Sequence, residues 1–129
     1  ASANKLRLGD TFFANLNGQK RELTLTGMLL SPNIILSVSD VLREHCKNIP
    51  LVVDPVMMST SGHMLLKAHS VKAMVNEILP KTTLLTPNLA EASKLTGTEL
   101  LKNMDDMRRA ADDLLKMGPD AVLVKGLPP

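Results

Sequence analysis

Downstream of residue 30 the apolar positions of the chain change period repeatedly, and each change marks an element. Ile34, Ile35, Val38, Val41 and Leu42 recur at helical spacing behind Ser31-Pro32, where the hydroxyl is free to cap and the proline's missing N–H costs nothing. A helix over 32–46 is predicted. Leu51-Val52-Val53 is a continuous apolar run, the mark of a strand buried on both faces, here over 50–54. It delivers Asp54 at its carboxyl end and breaks on Pro55 into a polar loop, Ser59-Thr60-Ser61-Gly62. Val71, Met74, Val75, Ile78 and Leu79 return to helical spacing and predict a helix over 69–79 that Pro80 stops.

Thr83-Leu84-Leu85-Thr86 predicts a strand over 83–86, halted by Pro87. Leu89, Ala92 and Leu95 predict a helix over 88–96, capped by Asn88 and ended by Gly97 in the left-handed conformation. A last helix over 104–117 starts at Asn103 or Asp105, turns Met104, Met107, Ala111, Leu114 and Leu115 inward, and stops at Gly118-Pro119. The run from Ala121 to Val124 then predicts a strand over 121–125 that leads into Lys125-Gly126. Upstream the pattern is poorer. Residues 1–22 read as a loose or partly helical lead-in, broken at Gly9 and Asn17-Gly18, and the alternating Leu and Thr that follow predict a short strand over 23–27.

Apolar strands alternating with helical crossovers predict the α/β class: a three-layer, doubly wound, mostly parallel sheet. Four such strands make a narrow sheet with apolar edges. Residues 1–129 are therefore expected to form a single domain holding only the central portion of a larger one, marginal in stability by itself and prone to self-association through exposed sheet edges.

Composition narrows the function classes. Two Phe, no Trp and no Tyr leave almost no stacking platform for bases, and a formal charge of +2 with scattered basic residues gives no basic stripe, so no nucleic-acid partner is expected. No apolar run reaches the roughly 18 residues of a spanning helix, so no membrane partner is expected either. The single cysteine, Cys46, reads as a buried structural thiol and suits a soluble protein of a reducing compartment: the cytoplasm, with organelle import left open.

Polar residues cluster at three strand ends: Asp54, then Asn88 with Glu91, then Lys125. In a parallel α/β sheet these ends share one rim, where ligands bind. A carboxylate, an amide with a second carboxylate, and an ammonium are the parts that hold a magnesium nucleotide. Each residue also has a purely structural explanation. Asp54 is a turn residue, Asn88 a helix cap, Glu91 the partner in a capping box, and Lys125 a solvated end residue.

The strings VVDPVMMSTSGHMLL, LTPNLAEASKLTG and MGPDAVLVKG resemble the hydroxymethylpyrimidine and phosphomethylpyrimidine kinases of thiamine biosynthesis, in the ribokinase superfamily. LTGMLLSPNII is similar to the strand-turn-helix that precedes them, and together these segments cover most of residues 23–126 in the family's order. The resemblance implies a ribokinase-like fold, ATP with Mg2+, and transfer of the γ-phosphoryl group to a small pyrimidine alcohol or its monophosphate. It further implies that Asp54, Asn88 and Lys125 face the ATP phosphates, that Asp54 and Glu91 organise magnesium indirectly, and that Gly27 and Met28 lie on the substrate side.

Pyridoxal kinases share the Asp-Pro-Val-Met start but usually continue Gly-Asp, where this chain has Met58-Ser59-Thr60-Ser61-Gly62. The family's glycine-rich anion hole and catalytic base lie beyond the Lys125-Gly126 position, so no catalytic residue is assigned within the chain, and little turnover is expected of these 129 residues alone. The alternative is a non-catalytic homologue that binds nucleotide or a partner chain.

Overall fold

The computed structural model describes residues 11–16, 19–24, 31–58, 64–99 and 101–127. Its first element is a hairpin in which β1 (Thr11–Leu16) pairs antiparallel with β2 (Gln19–Thr24), from Thr11 opposite Thr24 to Leu16 opposite Gln19. Two expectations are corrected here. The loose lead-in expected of residues 1–22 is in part a strand pair, and residues 23 and 24, expected to open a parallel strand, belong to its antiparallel arm. Asn17-Gly18 interrupts a helical pattern, but it is also the dipeptide that two-residue hairpin loops favour. Gly27 and Met28 lie outside the described residues, as does the remainder of the strand expected over 23–27.

Helix α1 (Pro32–His45) begins as predicted, with Ser31 Oγ accepting from Ile34 N at 3.4 Å and Pro32 in the first turn. Its inward stripe is narrower than predicted. Ile35 and Ser39 are buried and Val38 and Leu42 pack on the core, whereas Ile34 and Val41 are exposed. The step of about 100° per residue carries those two off the face that Ile35, Ser39 and Leu42 share. Cys46, next in the chain, is a free thiol of intermediate exposure rather than a buried one.

After β3 (Val52–Val53), α2 (Ala68–Ala73) runs into a wide π-type turn, Met74–Ile78, and then a tight 3-10 turn, Leu79–Lys81, in place of one regular helix over 69–79. Pro80 explains the change. It has no N–H to donate and its ring crowds the carbonyl four residues back, and just ahead of it Leu79 N reaches the wider-spaced Met74 O. Side chains meet the carbonyls left over. Thr82 Oγ1 donates to Ile78 O at 2.9 Å, and Lys81 Nζ donates to Glu77 O at 2.7 Å and to Ser39 Oγ at 2.9 Å, which ties this end to α1.

β4 (Leu84–Leu85), α3 (Leu89–Thr96), α4 (Met104–Leu115) and β5 (Ala121–Val122) complete the described chain. Asn103 is the α4 cap, its Oδ1 accepting from Asp106 N at 2.8 Å. The buried stripe of α4 is Met107, Ala110 and Leu114; Met104 and Leu115, expected inside, are exposed. The core is aliphatic, as composition requires, and its largest fully buried side chains include Ile35, Met57, Ile78, Leu79, Leu85 and Leu114.

β3, β4 and β5 lie side by side in that order, all parallel, with Val52 opposite Leu84 and Leu84 opposite Ala121. Parallel strands joined by helical crossovers make this an α/β fold, as predicted. No helix among the described residues is long and apolar enough to cross a membrane.

The turns entering β4 and β5 touch backbone to backbone. Gly118 has φ +118°, and a Cβ there would sit 2.7 Å from Pro80 Cα. Gly97, at φ +69° after α3, has open space around it. Gly118→Ala is therefore expected to cost about 3 kcal/mol, from strained backbone plus a clash that cannot rotate away, and Gly97→Ala only about 1 kcal/mol. Urea midpoints of the two variants check this; equal losses would show that the Pro80 contact yields easily.

Candidate functional site

Each predicted site residue in the described part sits where a strand of the parallel sheet ends. Asp54 follows β3, and Val56 N donates back to Asp54 O at 2.9 Å, closing a tight turn around the buried Pro55. Thr86 N donates to Val53 O at 2.9 Å, so β4 keeps its pairing with β3 up to Pro87. On the other side the ladder outlasts the strands. Leu123 N donates to Leu85 O at 2.8 Å and Lys125 N to Pro87 O at 2.7 Å, which sets Lys125 beside Asn88 in parallel register.

From there Lys125 reaches past the end of β4 to the far strand, and its Nζ lies 3.0 Å from both Asp54 Oδ1 and Asp54 Oδ2. This contact joins residues 71 positions apart, and it brings two of the predicted site residues together. The side chains of Lys125 and Asp54 are 42% and 48% exposed, so the pair stands in water-screened surroundings and remains open to a ligand.

Asn88 and Glu91 form a capping box at the start of α3. Asn88 Oδ1 accepts from Glu91 N, and Glu91 Oε2 accepts from Asn88 N, each at 2.8 Å. Their structural explanation is thus realised, and it consumes one oxygen of each side chain. Glu91 is buried at 7% exposure. No buried side-chain polar atom among the described residues lacks a partner.

Sequence reasoning missed the part played by Pro87, whose carbonyl anchors Lys125, and the closeness of Gly126 to Leu89 at the start of α3. The adjoining Thr86-Pro87-Asn88 and Lys125-Gly126 were the only signals for either. Met57 is in the core, while Met58 and Met64 are exposed and face each other across an antiparallel bridge at the mouth of the loop.

No group of three or more His, Cys, Asp or Glu among the described residues could hold a metal by itself. Asp54 and the second oxygen of Glu91 are hard oxygen donors. Donors of this kind and number suit magnesium, which keeps waters and shares its remaining positions with phosphate. A separate cleft lies between the segment that follows α3 and the side of α4, lined by Glu99, Leu101, Lys102, Asp106, Arg109 and Asp113 among others. There the Lys102 N–H and then the Arg109 guanidinium hold the Asp106 carboxyl below its ordinary range.

Comparison with known proteins agrees with the resemblance carried by the sequence strings. The family model for phosphomethylpyrimidine kinase matches residues 8–128. The hydroxymethylpyrimidine/phosphomethylpyrimidine kinase of Rhizobium meliloti (strain 1021) is 38% identical over 117 residues, 91% of this chain and 42% of the relative. The crystal structure of phosphomethylpyrimidine kinase from Clostridium difficile 630 matches with a TM-score of 0.69 at 41% identity, over 78% of this chain and 43% of that one. The pyridoxal kinase of Staphylococcus aureus, solved with AMP-PCP and pyridoxal, matches with a TM-score of 0.65 at 37% identity, over 78% of this chain and 34% of that one. The chain thus spans less than half the length of these relatives.

The two halves of the constellation differ in what they do for the fold. Asn88→Ala removes the capping box and is expected to lower stability by about 1 kcal/mol. Lys125→Ala breaks only a half-exposed ion pair, and its expected cost is below about 1 kcal/mol. Chemical denaturation of both variants checks the order; a larger loss at Lys125 would make the lysine chiefly a structural clasp.

Proposed function

This chain belongs to the phosphomethylpyrimidine kinase family, and from that premise we propose that it serves the ATP-dependent phosphorylation of hydroxymethylpyrimidine or its monophosphate, on the way to thiamine diphosphate. The observation that carries the reading is the contact of Lys125 with both oxygens of Asp54, across the carboxyl end of β4 and between the two strands that flank it, where α/β sheets hold their ligands. Phosphoryl transfer asks a protein mainly for positioning and for charge aimed at the phosphate oxygens.

In this reading Lys125 supplies the positive charge, Asn88 and Asp54 flank the phosphates, and Asp54 with Glu91 holds magnesium through its waters. Magnesium, when bound, neutralises charge on the phosphate oxygens. The capping box gives Glu91 a fixed orientation, and the turn at Pro55 fixes the main chain of Asp54. Gly27 and Met28 are assigned to the acceptor side. Residues 1–129 are read as one partial domain, with ATP and a small pyrimidine as its ligands, in a reducing compartment. Its self-association surface is the outer edge of β3 or of β5, neither of which has a strand paired with it among the described residues.

Pyridoxal is the rival acceptor, favoured by the comparable fit of the pyridoxal kinase fold. Complementation tests the choice. The full reading frame containing this segment is expected to restore growth without thiamine to a bacterium lacking its own hydroxymethylpyrimidine kinase, and Lys125→Ala is expected to abolish the rescue. Rescue of a pyridoxal kinase mutant instead would reassign the acceptor, and no rescue of either would favour the non-catalytic alternative.

A further inference from the structure

We propose that the ion pair between Asp54 and Lys125 makes this site select the metal-bound form of its nucleotide over the free form. The inference rests on the reading that assigns Lys125 to phosphate and Asp54 to the metal. Within the chain each charge already has a partner. The ammonium is shared between both carboxylate oxygens at 3.0 Å, and among the described residues neither side chain has another ion-pair partner.

Two ligands arriving singly meet opposite penalties. A free phosphate chain must draw Lys125 away from Asp54, and the bare carboxylate then faces phosphate oxygens of its own sign. A divalent cation arriving alone must draw Asp54 away from Lys125, and the freed ammonium then faces a dication. Arriving together, they exchange one ion pair for two, carboxylate with cation and ammonium with phosphate, and neither charge is left alone.

The backbone makes this exchange a matter of side-chain torsions. Lys125 N is held by Pro87 O at 2.7 Å, and Val53 O, next to Asp54, accepts from Thr86 N at 2.9 Å, so neither residue retreats from the other by moving its main chain. Because both side chains are roughly half exposed, the penalty is moderate. A half-exposed pair supports a discrimination of about threefold to fivefold.

Calorimetric titration of the full-length protein with ADP, with and without magnesium, tests the proposal in wild type, Asp54→Asn, Lys125→Gln and the double variant. Both replacements are close in size to the native residues, and far-ultraviolet dichroism checks that each variant folds. Asp54→Asn is expected to bind metal-free ADP about threefold more tightly than wild type and to lose most of the gain that magnesium gives. That tightening is expected to shrink when Lys125 is already Gln, since there is then no lysine to release and only the repulsion between Asp54 and phosphate is left to relieve. If the tightening persists in full without the lysine, Asp54 acts by simple repulsion and the selection mechanism is wrong, while the site assignment stands. If neither single substitution changes the affinity for magnesium-ADP, the site assignment itself falls.

Discussion

Because β3, β4 and β5 run parallel and in register, their carboxyl ends emerge on one rim, and the hydrogen bond from Lys125 N to Pro87 O extends that alignment past the last strand residue. An antiparallel neighbour in the same place would send its polar end to the opposite side of the sheet. The direction of pairing therefore decides that an acid after one strand, a capped helix after the next and a lysine after the third share one surface. The helices contribute by covering the aliphatic strands, and the caps by fixing where each helix starts.

The rim combines two kinds of residue. Asn88 and Glu91 are committed to α3 through two reciprocal hydrogen bonds, and their remaining polar atoms are offered in fixed directions. Asp54 and Lys125 are committed chiefly to each other, in water, through side chains free to turn. Removing the first pair disturbs a helix end; removing the second disturbs little besides local charge. A site built this way keeps its geometry through the caps and keeps its adjustability in the ion pair.

The sequence made the α/β alternation legible because its signals are local: apolar runs for strands, 3.6-residue repeats for helices, and Pro80, Pro87, Gly97 and Gly118 as stops. The partnership of Lys125 with Asp54 was legible only as a shared rim, since the contact depends on strand order, which no local signal encodes. The hairpin of β1 and β2 escaped because Asn17-Gly18 was weighed as a helix breaker and not as a turn former. Ile34, Val41 and Leu115 were placed inside because each lies one step from the buried stripe, and apolarity alone does not separate neighbouring faces; Met104 is in line with the stripe, three residues before Met107, but sits at the exposed start of α4. The π-type turn of Met74–Ile78 had a visible cause in Pro80, but how a helix absorbs a proline depends on which side chains stand ready, here Lys81, Ser39 and Thr82.

The contact between Gly118 and Pro80 gives the two ends of the sheet different mechanical characters. Both residues precede strands, so the end where β4 and β5 begin is closed by main chain against main chain, with no rotatable bond to take up a displacement. The opposite end is closed by a lysine and an aspartate whose torsions take up displacements freely. The sheet therefore resembles a pair of tweezers welded at one end: whatever opens the tips is absorbed there, and the spacing of the strands behind them stays as it is.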